Sequence, residues 1–185
     1  MQEPVASAPA EVGAGFGPAG RVLLATCKLL AIIGGLVFVA LVVMSLVSIT
    51  GRKLFSAPVP GDVEVLQMCA AAASACLFAY CHLAHGDVKV DFFTHHLPAA
   101  KVAALDAFGS LLVGLFGALL AWRTAAGALS VKEAGETSAI LGWPVWIAQG
   151  LMVPGFALLA LAGFYMVGVQ LRTISAARAK ARATR

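Results

Sequence analysis

The feature that most limits the fold is a run of 22 residues, Val65 to Gly86, without Asp, Glu, Lys or Arg. As a helix rising about 1.5 Å per residue it would reach roughly 33 Å, about the thickness of the hydrocarbon core of a bilayer. The run is continuous and does not alternate polar and apolar residues, which favours a helix over a barrel strand. Only 12% of the chain is charged, against about 25% in a typical soluble domain. We therefore predict an all-α integral membrane protein.

Further apolar runs bring the number of predicted crossings to four. The first is the charge-free segment between Lys28 and Arg52, and the third ends at Trp122 and Arg123. The uncharged stretch after Glu136 is too long for one span, so we place 124–144 in a loop and start the last crossing near Pro144. The predicted spans are 29–51, 63–84, 101–122 and 145–169, with a flexible arm at 1–20, a membrane domain at 21–171 and a basic tail at 172–185.

The basic tail predicts the orientation. Four crossings place both termini on the same side of the membrane, and loops rich in Lys and Arg stay in the cytoplasm. We therefore expect cytoplasmic N- and C-termini and a tail that lies beside anionic membrane lipids. The tail is accompanied by no aromatic residues and by no folded nucleic-acid-binding motif, so nucleic-acid binding is not predicted. The basic residues of the tail are Arg172, Arg178, Lys180, Arg182 and Arg185.

Small residues predict close helix packing with little polar interior. The second span contains the segment Ala70 to Ala75, the first contains Gly34 and Gly35, and the third contains Ser110 and Gly114. In a membrane such residues let helix backbones approach one another. Apart from Glu64 in the first turn of the second helix, Asp106 is the only carboxylate inside a predicted span, whereas a solute path needs polar groups at mid-depth. The sequence therefore indicates a chain that packs against a larger protein and does not transport by itself.

Motifs for catalysis or metal binding are absent from the sequence. It contains no phosphate-binding loop, no calcium loop and no zinc-protease motif, so we predict no enzymatic activity, no metal and no cofactor. One alternative stays open. With Cys81, Asp87 or Asp91, the histidines could bind a metal or haem, as in a membrane-anchor cytochrome b subunit of an oxidoreductase, although the other three crossings contain no histidine. These histidines are His82, His85, His95 and His96.

Arg52 and Glu64 flank a Pro-Gly turn between the first two spans. They could form an ion pair that fixes these two helices, contact a partner, or remain two solvated interfacial charges. Asp62 is a plausible N-cap of the second helix, and Glu64 lies in its first turn, where the helix dipole favours an anion.

Three groups of residues at helix ends carry a family resemblance. The first is Arg52, Phe55, Pro60-Gly61 and Glu64. The second is the run from Gly86 to Asp91 followed by Leu97-Pro98, and the third is Glu136-Thr137-Ser138 followed by Leu141-Gly142-Trp143-Pro144-Val145-Trp146. In this order the groups resemble the small membrane subunit (DctQ-type) of tripartite ATP-independent periplasmic (TRAP) transporters, over roughly residues 22–170. Asp87 stands where that family often has a histidine.

The resemblance implies a role in transport at the bacterial inner membrane. Such a subunit is non-catalytic and scaffolds a large sodium-coupled membrane subunit (DctM-type), where sodium coupling is expected to reside. It also helps a periplasmic substrate-binding protein (DctP-type) to dock for the uptake of carboxylates and other organic acids. The residues carried over as structural or partner-interface candidates are Arg52, Pro60, Gly61, Glu64, Asp91, Glu136, Pro144 and Trp146.

Overall fold

The computed structural model describes residues 16–56, 59–84, 86 and 99–183, with the backbone alone at 99–100, 173 and 176–183. It contains four helices: α1 (Pro18–Phe55), α2 (Asp62–Leu83), α3 (Ala99–Ala134) and α4 (Val145–Ala183). All four are long and apolar enough to cross a membrane. The predicted all-α chain with four membrane-spanning helices is confirmed.

Three of the helices are longer than the predicted spans. α1 begins at Pro18, so the last three residues of the predicted arm 1–20 are helical. α3 continues to Ala134, which shortens the predicted loop 124–144, and α4 continues to Ala183 through most of the predicted tail. The reason is that a charged residue marks the edge of the hydrocarbon and does not end a helix. Alanine, lysine and arginine are strong helix formers, and α3 stops only at Gly135, whose φ is 66°.

The helices contact one another in the order α1, α2, α4, α3. α1 packs along α2, α2 packs along α4, and α4 packs along α3. α1 also reaches α4 near its own start, where the Phe16 and Tyr165 rings meet edge to face with centroids 5.4 Å apart. Among the described residues the backbone of α3 approaches only α4. The molecule is therefore an open row of helices and not a closed four-helix bundle.

A glycine lies at each contact in the row. A Cβ atom added to Gly34 of α1 would lie 2.8 Å from the carbonyl oxygen of Ala73. One added to Gly155 of α4 would lie 2.5 Å from the carbonyl oxygen of Ala75, and one added to Gly163 would lie 2.5 Å from Cα of Gly114. These distances are too short for any side chain. The helices are thus held at backbone-to-backbone distance, which is how membrane helices gain contact without a hydrophobic driving force.

The interior contains mainly small side chains, with Leu83 and Met166 among the larger ones, and the outer surface contains many large ones. Ala75, Ala79 and Ala162 are fully buried, whereas Leu36 and Leu115 are more than half exposed. A soluble protein, in contrast, buries most of its large apolar side chains. The distribution seen here fits a chain whose outer faces contact lipid tails or another membrane protein.

Candidate functional site

The α1–α2 turn and the α3–α4 loop lie together at one end of the row, and Gly61 is where they touch. Gly61 precedes α2 with a φ of 74°, a left-handed conformation that residues other than glycine rarely adopt. It is also buried, and an added Cβ would lie 2.5 Å from Cγ of Leu141. Glycine is therefore required here both by the backbone and by the loop that packs on it. Gly61 is the N-cap of α2 in place of the predicted Asp62.

Asp62 joins the end of α1 to the start of α2. The hydroxyl of Ser48 donates a hydrogen bond to Oδ2 of Asp62 and accepts one from the backbone N–H of Val59, at 3.3 Å. Oδ1 of Asp62 accepts the backbone N–H of Val63 at 2.8 Å. Nη2 of Arg52 lies 3.5 Å from Oδ2 of the same carboxylate. Ser48 is 1% exposed, so one buried hydroxyl and one carboxylate close this turn.

Glu64 holds the α3–α4 loop. Its Oε1 accepts the backbone N–H of Ile140 at 2.9 Å, and its Oε2 accepts that of Leu141 at 3.2 Å. The ion pair considered between Arg52 and Glu64 is therefore not the one formed, because Arg52 pairs with Asp62 instead. The Glu64 carboxylate thus provides hydrogen-bond acceptors for two backbone N–H groups of the α3–α4 loop. We name Ser48, Arg52, Asp62 and Glu64, with the backbone of Ile140 and Leu141, the polar clasp.

The α3–α4 loop also closes on itself. Ser138 and Trp143 exchange bonds: the N–H of Ser138 donates to the carbonyl of Trp143 at 2.8 Å, and the N–H of Trp143 donates to the Ser138 hydroxyl at 3.2 Å. The carbonyl of Glu136 accepts the N–H of Val145 at 3.2 Å. Nζ of Lys132 lies 4.9 Å from the centre of the Trp146 ring, within the range of a cation–π contact.

The structure brings together seven of the eight candidate residues. Arg52, Gly61 and Glu64 belong to the clasp or touch it, as described above. Pro60 lies exposed in the turn, and Pro144 pairs with Thr137 in an isolated bridge. Trp146 contacts Lys132, and Glu136 contributes through its backbone. Thus the clasp contains Arg52 and Glu64, and the remaining described candidates surround it, whereas Asp91 lies outside the described residues.

Three clasp or loop residues were not among the predicted candidates. Ser48 lies in an apolar run, and its polarity is the sequence signal that could have identified it. From the sequence alone, Asp62 is predicted only as a helix cap and Ser138 only as part of a motif. Their roles depend on partners 14 and 5 residues away, which the spacing of neighbouring residues does not reveal.

The histidine cluster is only partly visible. His82 is buried in α2, at 7% exposure, while His85, His95 and His96 lie outside the described residues, as do Asp87 and Asp91. Within the described residues, no group of three or more His, Cys, Asp and Glu side chains could hold a metal ion. The residues that the structure describes therefore give no support for a haem or metal site.

Removal of the Glu64 carboxylate is predicted to release the loop. We expect Glu64→Ala to lower the free energy of unfolding by about 1–3 kcal/mol, because two amides lose a charged acceptor. Hydrogen exchange should accelerate at the amides of Ile140 and Leu141. Glu133→Ala is the matched control, since this exposed glutamate lies nearby in the last turn of α3. Equal exchange in the two variants would argue against the clasp.

Comparison with known proteins identifies one family. The model of the DctQ component of tripartite ATP-independent periplasmic transporters matches residues 40–173. That range includes the whole polar clasp, the α3–α4 loop and the glycine contacts of α2, α3 and α4. Neither a search of curated proteins nor a search of solved structures finds a match.

Proposed function

The chain belongs to the DctQ family, the small membrane component of tripartite ATP-independent periplasmic transporters, and from this we propose that it is the non-catalytic scaffold of such a transporter. It is a multi-pass membrane protein. Transporters of this kind also contain a large membrane subunit and a substrate-binding protein. In the role we propose, the small subunit supports the large subunit in the bacterial inner membrane and helps the binding protein to dock. Carboxylate selectivity and sodium coupling then reside in those partners, and this chain needs no cofactor.

The open row of helices is the observation that best supports a scaffold role. Each contact between neighbouring helices contains a glycine, and one buried apolar cluster joins α1, α2 and α4, so the order of the helices is fixed although α3, among the described residues, packs only on α4. Its outer faces carry large aliphatic and aromatic side chains that no described residue covers, such as Leu46, Leu115 and Phe116. A row of this kind can pack lengthwise against a larger membrane protein, since helix faces in membranes associate through shape and van der Waals contact.

The distribution of charge supports cytoplasmic termini. At the clasp end, four basic residues are matched in number by Asp62, Glu64, Glu133 and Glu136. The other nine of the thirteen Lys and Arg residues belong to the opposite end by chain order. Cytoplasmic ends carry the excess of Lys and Arg, so this orientation places the clasp in the periplasm. The basic residues of the clasp end are Arg52, Lys53, Arg123 and Lys132.

Exposed apolar side chains at the clasp end are suited to contact a partner. Leu54, Phe55 and Ile140 are 70%, 77% and 65% exposed. The clasp fixes the backbone that carries Ile140, because Glu64 accepts the N–H of that residue. In the proposed orientation these side chains lie where a docked binding protein would meet the membrane.

Reconstitution of defined subunits tests the scaffold proposal. The chain is expected to co-purify with its large membrane subunit and to be required for uptake of an organic acid into vesicles that contain all three components. Vesicles that contain this chain alone should show no uptake above protein-free vesicles. Uptake of an organic acid by this chain alone would contradict the proposal, and so would full transport by the other two components without it.

A further inference from the structure

Arg123 interrupts the uncharged part of α3. Sixteen residues without a charge precede it, back to Asp106, and eight follow it, up to Lys132. The sequence predicts that the third crossing ends at Trp122 and Arg123, but α3 continues without a break to Ala134. The depth of Arg123 in the membrane therefore follows from the packing of α3 and not from the end of an apolar run.

The separation of Arg123 from Lys132 gives one measure of that depth. Nζ of Lys132 lies 4.9 Å from the centre of the Trp146 ring, in the first turn of α4. Tryptophan and lysine at a helix end are typical of the membrane–water boundary. Arg123 lies nine residues before Lys132, roughly 13 Å along the helix, and half of the hydrocarbon core is about 15 Å. Arg123 is thus close to the middle of the membrane.

The glycine contacts between the helices give the same depth. α3 and α4 run in opposite directions along each other, and Gly117 lies against Ala160. Arg123, six residues after Gly117, is therefore level with the residue six before Ala160, next to Gly155. Gly155 in turn packs on Ala75, near the middle of the 22 residues of α2. Because α2 is roughly 33 Å long, its middle corresponds to the middle of the hydrocarbon core.

At this depth Arg123 lacks an acidic partner within the part of the chain that the structure describes. The closest described carboxylates on α3, those of Glu133 and Asp106, are ten and seventeen residues away, roughly 15 and 25 Å along the axis. Side chains of a helix lean toward its N-terminus, so the Arg123 side chain leans away from the nearer membrane surface at the clasp end. Its guanidinium is therefore poorly placed to reach the headgroups there.

The side of α3 that carries Arg123 faces outward. Phe116, Leu119 and Arg123 are spaced three and four residues apart, which places them on one face, and all three are exposed. The backbone of α3 approaches only α4 among the described helices, so α3 is the end of the row. Charged residues inside a membrane span are costly and almost always face a bundle interior or a water-filled cavity. This face is outside in the single chain and becomes interior only in a larger assembly.

On the basis of the scaffold role above, we propose that this face of α3 binds the large membrane subunit, and that Arg123 pairs there with a carboxylate in a membrane-spanning helix of that subunit. Arginine binds a carboxylate through two parallel N–H···O bonds, which neutralises its charge without water. Phe116 and Leu119 supply apolar contact beside the pair. A lipid phosphate has the right charge, but it lies at the membrane surface and not at the depth of Arg123.

The affinity between the two purified membrane subunits, measured in a mild detergent, tests the pairing. Arg123→Leu is expected to weaken binding about thirtyfold or more, because it leaves the carboxylate of the large subunit buried without a partner. Arg123→Lys should lie between this variant and wild type. The chain alone should be no less stable with leucine at this position, since the change removes a charge from hydrocarbon.

Lys28→Leu is the matched control, because it replaces an exposed cation on α1, at the other end of the row. This variant should bind as wild type does. If Arg123→Leu binds as tightly as Lys28→Leu, the proposed contact is wrong while the scaffold role stands. If the wild-type chain does not bind the large subunit at all, the scaffold role fails and the contact fails with it.

Exchange of the two charges identifies the partner carboxylate. Arg123→Glu should abolish binding, because it places two acids opposite each other in hydrocarbon. Each Asp and Glu in the membrane-spanning helices of the large subunit would then be changed to Arg in turn, and one of these changes should restore binding to Arg123→Glu. Failure of every exchange to restore binding would show that Arg123 does not pair with a carboxylate.

Cysteine labelling of the chain alone checks the depth. In a variant whose four cysteines are changed to alanine, Arg123→Cys and Lys132→Cys would be treated in vesicles with a charged maleimide on both sides of the membrane. Position 132 should react and position 123 should not. Leu36→Cys is the control at equal depth, since nearby Gly34 contacts Ala73 of α2. Equal reaction at positions 123 and 132 would place Arg123 among the headgroups and assign it to a lipid phosphate instead.

Discussion

Gly163→Leu is expected to separate α3 from α4 and to cost about 3 kcal/mol or more in the free energy of unfolding. An added Cβ alone would lie 2.5 Å from both Cα and N of Gly114 and 2.9 Å from the carbonyl oxygen of Ser110. These are backbone atoms, so no side-chain rotation relieves the overlap and the two helices must move apart. Overpacking in a well-packed core typically costs 1–3 kcal/mol, and this position has less room than most. The midpoint of denaturation by sodium dodecyl sulfate in mixed micelles measures the change.

Gly168→Leu provides the matched comparison for that variant. Gly168 lies on the same helix, yet an added Cβ there would meet nothing within 4 Å. The exchange of glycine for leucine is the same, so the difference between the two variants isolates the helix contact. We expect Gly168→Leu to be neutral or slightly stabilising, because leucine is a better helix former than glycine. Similar losses in both variants would mean that the α3–α4 contact does not depend on glycine.

Gly61→Ala is expected to cost about 2–4 kcal/mol, the second largest effect. Part of the cost is conformational, because alanine is strained at a φ of 74° by about 1–2 kcal/mol. The rest is steric, because the new methyl group would overlap Leu141, which Glu64 holds in place through its backbone N–H. Thermal unfolding in detergent measures the total. Hydrogen exchange in the loop should accelerate at the same amides as in Glu64→Ala.

Gly142→Ala separates the two contributions. Gly142 has a φ of 65°, and a Cβ there would meet nothing within 4 Å, so only the conformational cost applies. The double variant Gly61→Ala, Leu141→Ala should recover the steric part if the overlap with Leu141 is real. If Gly61→Ala costs no more than Gly142→Ala, the loop does not press on the turn as described.

The membrane-spanning helices were predictable because hydrocarbon imposes one strict rule on the chain. Backbone groups must bond within the span, and charges are excluded from it. The uncharged run from Val65 and the segment between Lys28 and Arg52 therefore indicate helices directly. The same rule has no force outside the bilayer, where α3 continues to Ala134 and α4 to Ala183. Those extensions depend on helix propensity, which is a weaker signal than the loss of solvation.

The candidate site was only partly predictable, for a different reason. The sequence shows that Glu64 opens a helix, but its partners, the amides of Ile140 and Leu141, are 76 and 77 residues away. Nearly every residue has a backbone N–H group, so the sequence does not show which of them will donate to Glu64. Arg52 had two acidic neighbours at similar separation, and the choice of Asp62 depends on Ser48, whose hydroxyl fixes the carboxylate. Such choices follow from three-dimensional packing and not from spacing along the chain.

The single-file order of the helices also sets the shape of the area that the protein occupies in a membrane. Neighbouring helix axes lie about 8–10 Å apart, and α1 touches α4 as well as α2, so the cross-section is longer in one direction than in the other and at most about 25–30 Å long. If the row of helices packs against a larger membrane protein, it extends that protein mainly in the direction of the row. When a membrane protein tilts, its outer edge moves out of register with the hydrocarbon layer, and each ångström of this mismatch costs free energy. The edge of a longer protein moves further for the same tilt. In the scaffold role proposed above, the row of helices would make tilting of the complex along the row more costly than tilting across it.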